Sequence, residues 1–413
     1  VFDKLTLSGY TGKIGEGFDL NKVSELVSAF SNFVGQGSKI ALGTDDKKSS
    51  EMIKFCVISS LLSGGIEVYD LNKVLTSNLQ IYIKEKNLNA GIMIGGFKDD
   101  SINGIRFFRN DGLQFLANDM QSLLNIYHLK KYNFSKWDSL GKVLNIKDAK
   151  ETYFKKLTKV FPENEKIKDK KIKIDGGCNI INEYFKTGAK IYGFKIVKKG
   201  EDISFEINTD GSVSEIKIKN KKISTEKIFA FVVKLLSDKC KKVVTNFSSS
   251  FVLKEISGIE ILETKAGMEN IAEKVLNEMA DIGGEGCGSV LFPDFVYGYD
   301  AFATSIFILS FLTKGVDILN ILNSIPDYFY YKKMIKVNPY ESYQILNLLY
   351  NYLNKKYKVI KVDGLKVIDK NLWITIRQSG SEDVIRIISQ AKEKKRVLSL
   401  IKDIEKNIKK FME

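Results

Sequence analysis

A chain of 413 residues, 44% of them hydrophobic, is too long for one ordinary core and apolar enough to fill several, so about two to four domains are expected. A single histidine, His128, and four scattered cysteines with no CxxC pair argue against multi-histidine metal centres, zinc knuckles and a disulfide framework. The net charge of +14 suits an anionic partner, yet no apolar run reaches the roughly 18 to 20 residues of a membrane span and the opening VFDKLTLSGY has no signal layout, so a cytoplasmic location is expected.

From Lys22 to Phe108 the pattern alternates. The helix NKVSELVSAFSNFV is followed by the strand KIALGT, the helix SSEMIKFCVISSLLSG, the strand GIEVYDL, a further helix and the strand AGIMIGG. Strands separated by helices of that length imply crossover connections and a mainly parallel sheet. A charged linker, FPENEKIKDKK, precedes a second strand-helix-strand set at IKIDGGCNIINEYFKTGAKIYGFKI, and a third begins at KKVVTNFSSS. Pro326 and Pro339 mark a boundary, beyond which the pattern reads as a smaller α+β domain. The expected architecture is three related α/β domains with mixed sheets, at 1–145, 146–238 and 239–327, and a C-terminal α+β domain at 328–413 around a central cleft.

The basic runs KIKDKKIKI and KIKNKKIS alternate lysine with isoleucine, as the solvent faces of strands do, and 50 acidic residues are mixed through the chain. A nucleic-acid surface is therefore disfavoured, while small phosphorylated ligands fit the same field.

Three loops carry chemistry. GIMIGGFKDDSINGIRFF, Gly91 to Phe108, runs from a buried strand into glycines that let backbone approach a ligand, but its tip holds no hydroxyl, thiol or imidazole. IRQSGSEDVIRI, Ile376 to Ile387, has the make-up of an anion cradle: Arg377 and Arg386 for bidentate bonds, Ser379 and Ser381 as donors, Gly380 to expose backbone N–H groups. GGEGCGS offers Gly284 and Cys287 around one carboxylate, Glu285, able to accept from sugar hydroxyls. Each of the last two also reads as an ordinary turn.

In order, these stretches resemble the α-D-phosphohexomutases, the phosphoglucomutase and phosphomannomutase superfamily. LSGYTG is similar to the family's TSGIRG, GTDDKKSSEM to GRDTRPSSEM, and GIMIGGFKDDSINGIRFF to GIMITASHNPxxxNGIKF. ETKAGMENIAEKV, GGEGCGS, and DGLKV with IRQSGSEDVIRI are similar to TKVG, GGExSGH, and DG with RPSGTEPxxRV. The resemblance implies four domains around a cleft, a phosphoserine in the TASHNP loop and a Mg²⁺ on a DGDGDR-type loop.

Departures from that pattern set the functional expectation. Phe97 stands at the nucleophile position, with Ser101 the sole nearby hydroxyl, and Thr11, Thr44 and Lys47 stand where the family has arginines. The metal loop is represented by Asn208, Asp210 and Ser212 in DISFEINTDGSVSEIKI, one carboxylate with an amide and a hydroxyl, which also reads as a hairpin turn. No cofactor is expected, Mg²⁺ only if that loop still binds it. Asp383 replaces a proline in the phosphate loop, and Cys287 and Ser289 replace serine and histidine in the sugar loop. The expectation is a phosphosugar-binding homologue, catalytically degenerate and regulatory, working with a protein partner or as a homo-oligomer. An active mutase using an altered route, and a nucleic-acid binder on the old scaffold, are the alternatives.

Overall fold

The computed structural model describes every residue except 1–2, 7–8, 97–98, 163–166, 176–177, 209, 219–220, 237–238, 250, 313–316, 370–371, 380–383 and 413. In the first domain the strands Lys39–Thr44, Glu67–Lys73, Ala90–Ile94 and Val143–Asn145 pair in parallel. Ile102–Arg109, Gly9–Lys13 and Asp3–Thr6 then add antiparallel to the Ala90–Ile94 edge. The expected mainly parallel sheet is thus parallel at its centre and antiparallel along one flank, because the short loop after Ile94 can return the chain only as a hairpin partner. Helix Leu20–Val34 starts where the Asp19 side chain accepts from Asn21 N at 2.8 Å, and it buries Val23, Leu26, Val27 and Phe30, one helical face.

The second domain is a five-stranded sheet with strand order Lys221–Ile223, Ser214–Ile218, Ile203–Ile207, Lys171–Asp175, Lys195–Ile196. The third orders Glu260–Thr264, Lys242–Asn246, Ile282–Glu285 and Ser289–Leu291. The C-terminal domain is an antiparallel sheet, Phe329–Lys336, Val384–Ala391, Leu372–Gln378, Leu365–Asp369, Lys358–Lys361, covered by helices Pro339–Leu353 and Lys394–Met412. Pro339 opens a helix rather than breaking one: Asn338 caps it by accepting from Tyr340 N, and a first-turn proline lacks only a donor that would go unused.

One continuous core joins the second and third domains and takes in Leu75 and Ile81 of the first, whereas the first domain closes a core of its own around Val27, Leu42, Ile92 and Phe107 and the C-terminal domain another around Leu349, Val367, Ile374 and Ile404. Helix Thr76–Glu85 is the joint of the first three. Its Ser77 Oγ donates to Asp300 Oδ2 at 2.5 Å, which also accepts from Tyr153 OH at 2.7 Å. Asn78 Nδ2 donates to Tyr184 OH, and Gln80 Nε2 donates to the carbonyls of Gly112 and Tyr297 at 2.8 and 2.9 Å. No helix among the described residues is long and apolar enough to cross a membrane. Within the basic runs Lys173 pairs with Asp175 and Lys222 with Glu215, and Asp169 of the first run pairs with Lys195 outside it.

Candidate functional site

Gly95 and Gly96 leave strand Ala90–Ile94 with φ of 99° and 83°, and Asp45 Oδ2 accepts from Gly96 N at 3.0 Å. The same carboxylate's Oδ1 accepts from Lys47 N and from the Ser50 hydroxyl, so Asp45 pins this loop to the helix that follows Thr44. Lys47 Nζ donates across to the carbonyls of Asp99 and Ile102, closing the far side. Arg106, on strand Ile102–Arg109, aims its Nη2 at Gly95 O (3.2 Å) and Thr76 Oγ1 (3.0 Å). A Cβ added at Gly96 would lie 2.1 Å from that nitrogen and 3.6 Å from Asp210 Cβ, so the loop of the second domain arrives at the same point. Burial pulls the Arg106 guanidinium down from its ordinary pKa, against Asp210, Asp45 and Glu269, which pull it back up.

Glu269 enters from the first turn of helix Met268–Glu278 in the third domain. Burial raises its carboxyl to about 7, the nearby Glu285 and Asp363 push the same way, and the Arg106 charge opposes them. Glu285 Oε1 accepts from Asn246 Nδ2 and, at 3.2 Å, from Gly267 N. Cys287 is exposed, with its Sγ 3.2 Å from Ser289 Oγ. Ala266 N donates to Asp363 Oδ2 at 3.1 Å, and Arg377 Nε lies 4.0 Å from that oxygen. Arg377 and Arg386 face each other directly across strands Leu372–Gln378 and Val384–Ala391, and Ser379 N closes their hairpin on Val384 O. The charges of Arg106 from the first domain, Glu285 from the third and Asp363 from the C-terminal domain are all felt at Glu269.

Two family models match the chain: phosphoglucomutase/phosphomannomutase alpha/beta/alpha domain I over residues 4–133, and domain III of the same family over residues 224–329. The chain belongs to the phosphoglucomutase/phosphomannomutase superfamily. It is 25% identical to the phosphoglucosamine/phosphogalactosamine mutase of Sulfurisphaera tokodaii, over 96% of this chain and 97% of that protein. A phosphoglucomutase/phosphomannomutase family protein from Burkholderia thailandensis superposes with a TM-score of 0.80 at 17% identity, covering 98% of this chain and 97% of that one. N-acetylphosphoglucosamine mutase of Aspergillus fumigatus, solved in complex with GlcNAc-6P and magnesium, superposes at 0.58 with 12% identity, over 94% and 97% of the two chains.

Phe97, Gly380 and Ser381 lie outside the described residues. Of the remaining predicted positions, Gly284 and Glu285 end strand Ile282–Glu285 and Cys287 follows it in the third domain, while Arg377, Ser379 and Arg386 belong to the hairpin of Leu372–Gln378 and Val384–Ala391 in the C-terminal domain. Gly284 is a buried strand position whose added Cβ would meet the Phe229 ring at 2.4 Å, so its absent side chain serves packing. Thr11 and Thr44 are buried, Thr44 Oγ1 donating to Asn72 O at 3.2 Å, so neither replaces an arginine in the cleft. Asn208, Asp210 and Ser212 form the hairpin turn between Ile203–Ile207 and Ser214–Ile218. Asn208 Oδ1 accepts from Ser212 N and Val213 N, and Asp210 Oδ1 from Ser212 N and Oγ. A Mg²⁺ needs about six oxygens converging on it. Here hydrogen bonds within the turn engage three of the four side-chain oxygens of these residues, Asn208 Oδ1, Asp210 Oδ1 and Ser212 Oγ, and among the described residues no group of three or more Asp, Glu, His or Cys is placed to hold a metal. This donor set does not fit the ion.

Sequence reasoning missed Asp45, Arg106 and Glu269 as members of the site. All three lie in motifs that resemble the superfamily's, GTDDKKSSEM, INGIRFF and ETKAGMENIAEKV, and that placement was the available signal. His128, at the exposed end of helix Ala117–His128, takes no part.

Proposed function

We propose that this chain holds a hexose phosphate in the cleft, its phosphate on Arg377 and Arg386 and its sugar hydroxyls on Glu285, without a phosphoserine at position 97. The carrying observation is the arginine pair. Like charges directly opposite across two strands destabilise a sheet by roughly 0.2–1 kcal/mol, and a bound dianion turns that cost into two charge-assisted interactions. The names of the relatives, with hexosamine phosphates foremost among them, support the ligand class. Ser379 and the segment 380–383 would complete the cradle, and the chain would act as a binding or regulatory protein.

A second reading, an active mutase by an altered route, is favoured by those same names and by Ser101. That hydroxyl donates to Asp99 Oδ1 at 2.7 Å and lines a cavity of about 740 Å³ with Lys47, Lys48 and Ser49 at the boundary with the second domain. The experiment is calorimetry and a thermal-shift series with glucosamine, glucose and mannose phosphates, followed by a coupled mutase assay with the corresponding bisphosphate. Binding without turnover supports the first reading. Turnover together with phosphate found on Ser101 by mass spectrometry establishes the second, and no binding at millimolar ligand removes both.

A further inference from the structure

We infer that the Arg106 guanidinium is the built-in cation of this site: held by neutral partners, it stands where Asp45 of the first domain and Asp210 of the second approach and where the charge of Glu269 from the third is also felt, and it takes the place a divalent ion would need there.

Three observations carry this. The guanidinium is placed, not merely nearby: Nη2 is fixed by Gly95 O and Thr76 Oγ1, and Nε is shut off from solvent. The loop is cut to fit it. A side chain at residue 96 would begin 2.1 Å from Nη2, and one at residue 95 would begin 2.1 Å from Asp45 Oδ2, so both positions are glycine and both take positive φ. Finally, Asp210 faces the same point while its hairpin partners spend their oxygens on the turn, so the carboxylate brings charge to Arg106 but no coordination shell. A cation added beside an arginine that already balances these carboxylates meets repulsion and too few free oxygens.

A cation fixed by covalent attachment to one domain and attracted by carboxylates of two others also holds the three domains in register. It does so at all times, whereas a soluble ion would do so only when bound. The inference stands apart from the sugar-phosphate reading, since its test contains no sugar.

The test is thermal unfolding and calorimetry of the full chain with MgCl₂, MnCl₂ or EDTA, for the parent protein, Arg106→Gln and Arg106→Lys. The parent should show no shift in Tm and no binding heat at millimolar Mg²⁺. Arg106→Gln should lower Tm by about 5 °C or more, because three carboxylates lose their counter-charge, and Mg²⁺ or Mn²⁺ should recover part of the loss. Arg106→Lys should sit between the two. Should Arg106→Gln not fold, Asp210→Asn provides the second measurement: it should lower Tm and remain insensitive to Mg²⁺. A parent protein that binds Mg²⁺ below about 1 mM, or an Arg106→Gln or Asp210→Asn variant with the parent's Tm, overturns the inference.

Discussion

Replacing Arg377 by alanine should separate ligand affinity from stability. The side chain is 18% exposed, among the described residues its ion-pair partner is Asp363 Oδ2 at 4.0 Å, and its cross-strand neighbour is Arg386. A 4.0 Å approach is too long for a hydrogen bond, so Asp363 competes only weakly with a phosphate for the guanidinium. A charge-assisted bond contributes on the order of 1.5 to 3 kcal/mol, and Arg377→Ala should therefore weaken hexose phosphate binding by roughly 10- to 150-fold. The unliganded protein should lose little, because the same change relieves the repulsion between the paired arginines, worth about 0.2–1 kcal/mol. Calorimetry with glucosamine 6-phosphate and glucose 1-phosphate reads the first effect, and urea unfolding without ligand reads the second. Equal affinity of the parent and Arg377→Ala would refute the reasoning. A large loss of stability in the unliganded variant would show instead that the arginine serves the fold.

Phe97→Ser alone should leave a coupled mutase assay at background, because Thr11, Thr44 and the turn at Asp210 stay as they are; turnover near an ordinary rate of roughly 1 to 1000 per second would contradict this. Glu269, raised to about 7 from 4.5 by burial, binds its proton more tightly folded than unfolded. Its contribution is complete below about pH 4.5 and is lost as pH rises through about 7, so Glu269→Gln should remove a decline on the order of 1 to 3 kcal/mol between those values in a pH series of urea midpoints. Asp300→Ala should cost about 2 to 4 kcal/mol, since the hydroxyls of Ser77 and Tyr153 lose their shared acceptor inside the joint of the first three domains. The loss should appear as a lower urea midpoint for the transition of that block.

Local pattern was enough for most elements. KIALGT is the strand Lys39–Thr44, the helix expected over SSEMIKFCVISSLLSG runs Lys48–Ser63, and the Asn208 to Ser212 turn was one of the two readings offered by its Asn-Thr-Asp-Gly sequence. Periodicity and turn chemistry act over a few residues, and these features need nothing more. Pro339 was read only as a boundary, and that it starts a helix was not legible, because whether a proline ends a helix or starts one depends on the cap before it, here Asn338. The candidate site could be proposed from sequence where one loop or hairpin supplies the residue, as for Glu285 or Arg377. It was not legible at Arg106, whose meaning depends on glycines one strand away, a carboxylate about a hundred residues downstream and another on a third-domain helix. Nor do the Thr76 to Gln80 polar residues look structural by pattern, since their partners Asp300, Tyr184 and Tyr297 belong to other domains.

The C-terminal domain keeps its own apolar centre and meets the third domain through the Phe251 ring, 6.5 Å from that of Trp373, and through polar contacts: Lys366 Nζ with Glu263 Oε1 at 3.0 Å, Ser248 Oγ with Thr375 Oγ1 at 3.0 Å, and Gln390 Oε1 accepting from Phe251 N at 2.7 Å. Water can replace each of these polar contacts at small cost, whereas no comparable exchange is open to the core that joins the second and third domains. The seam of the C-terminal domain is therefore where the chain should part most readily. A ligand spanning that seam would leave when it opens, so its residence time should follow the frequency of opening more than the strength of any single bond.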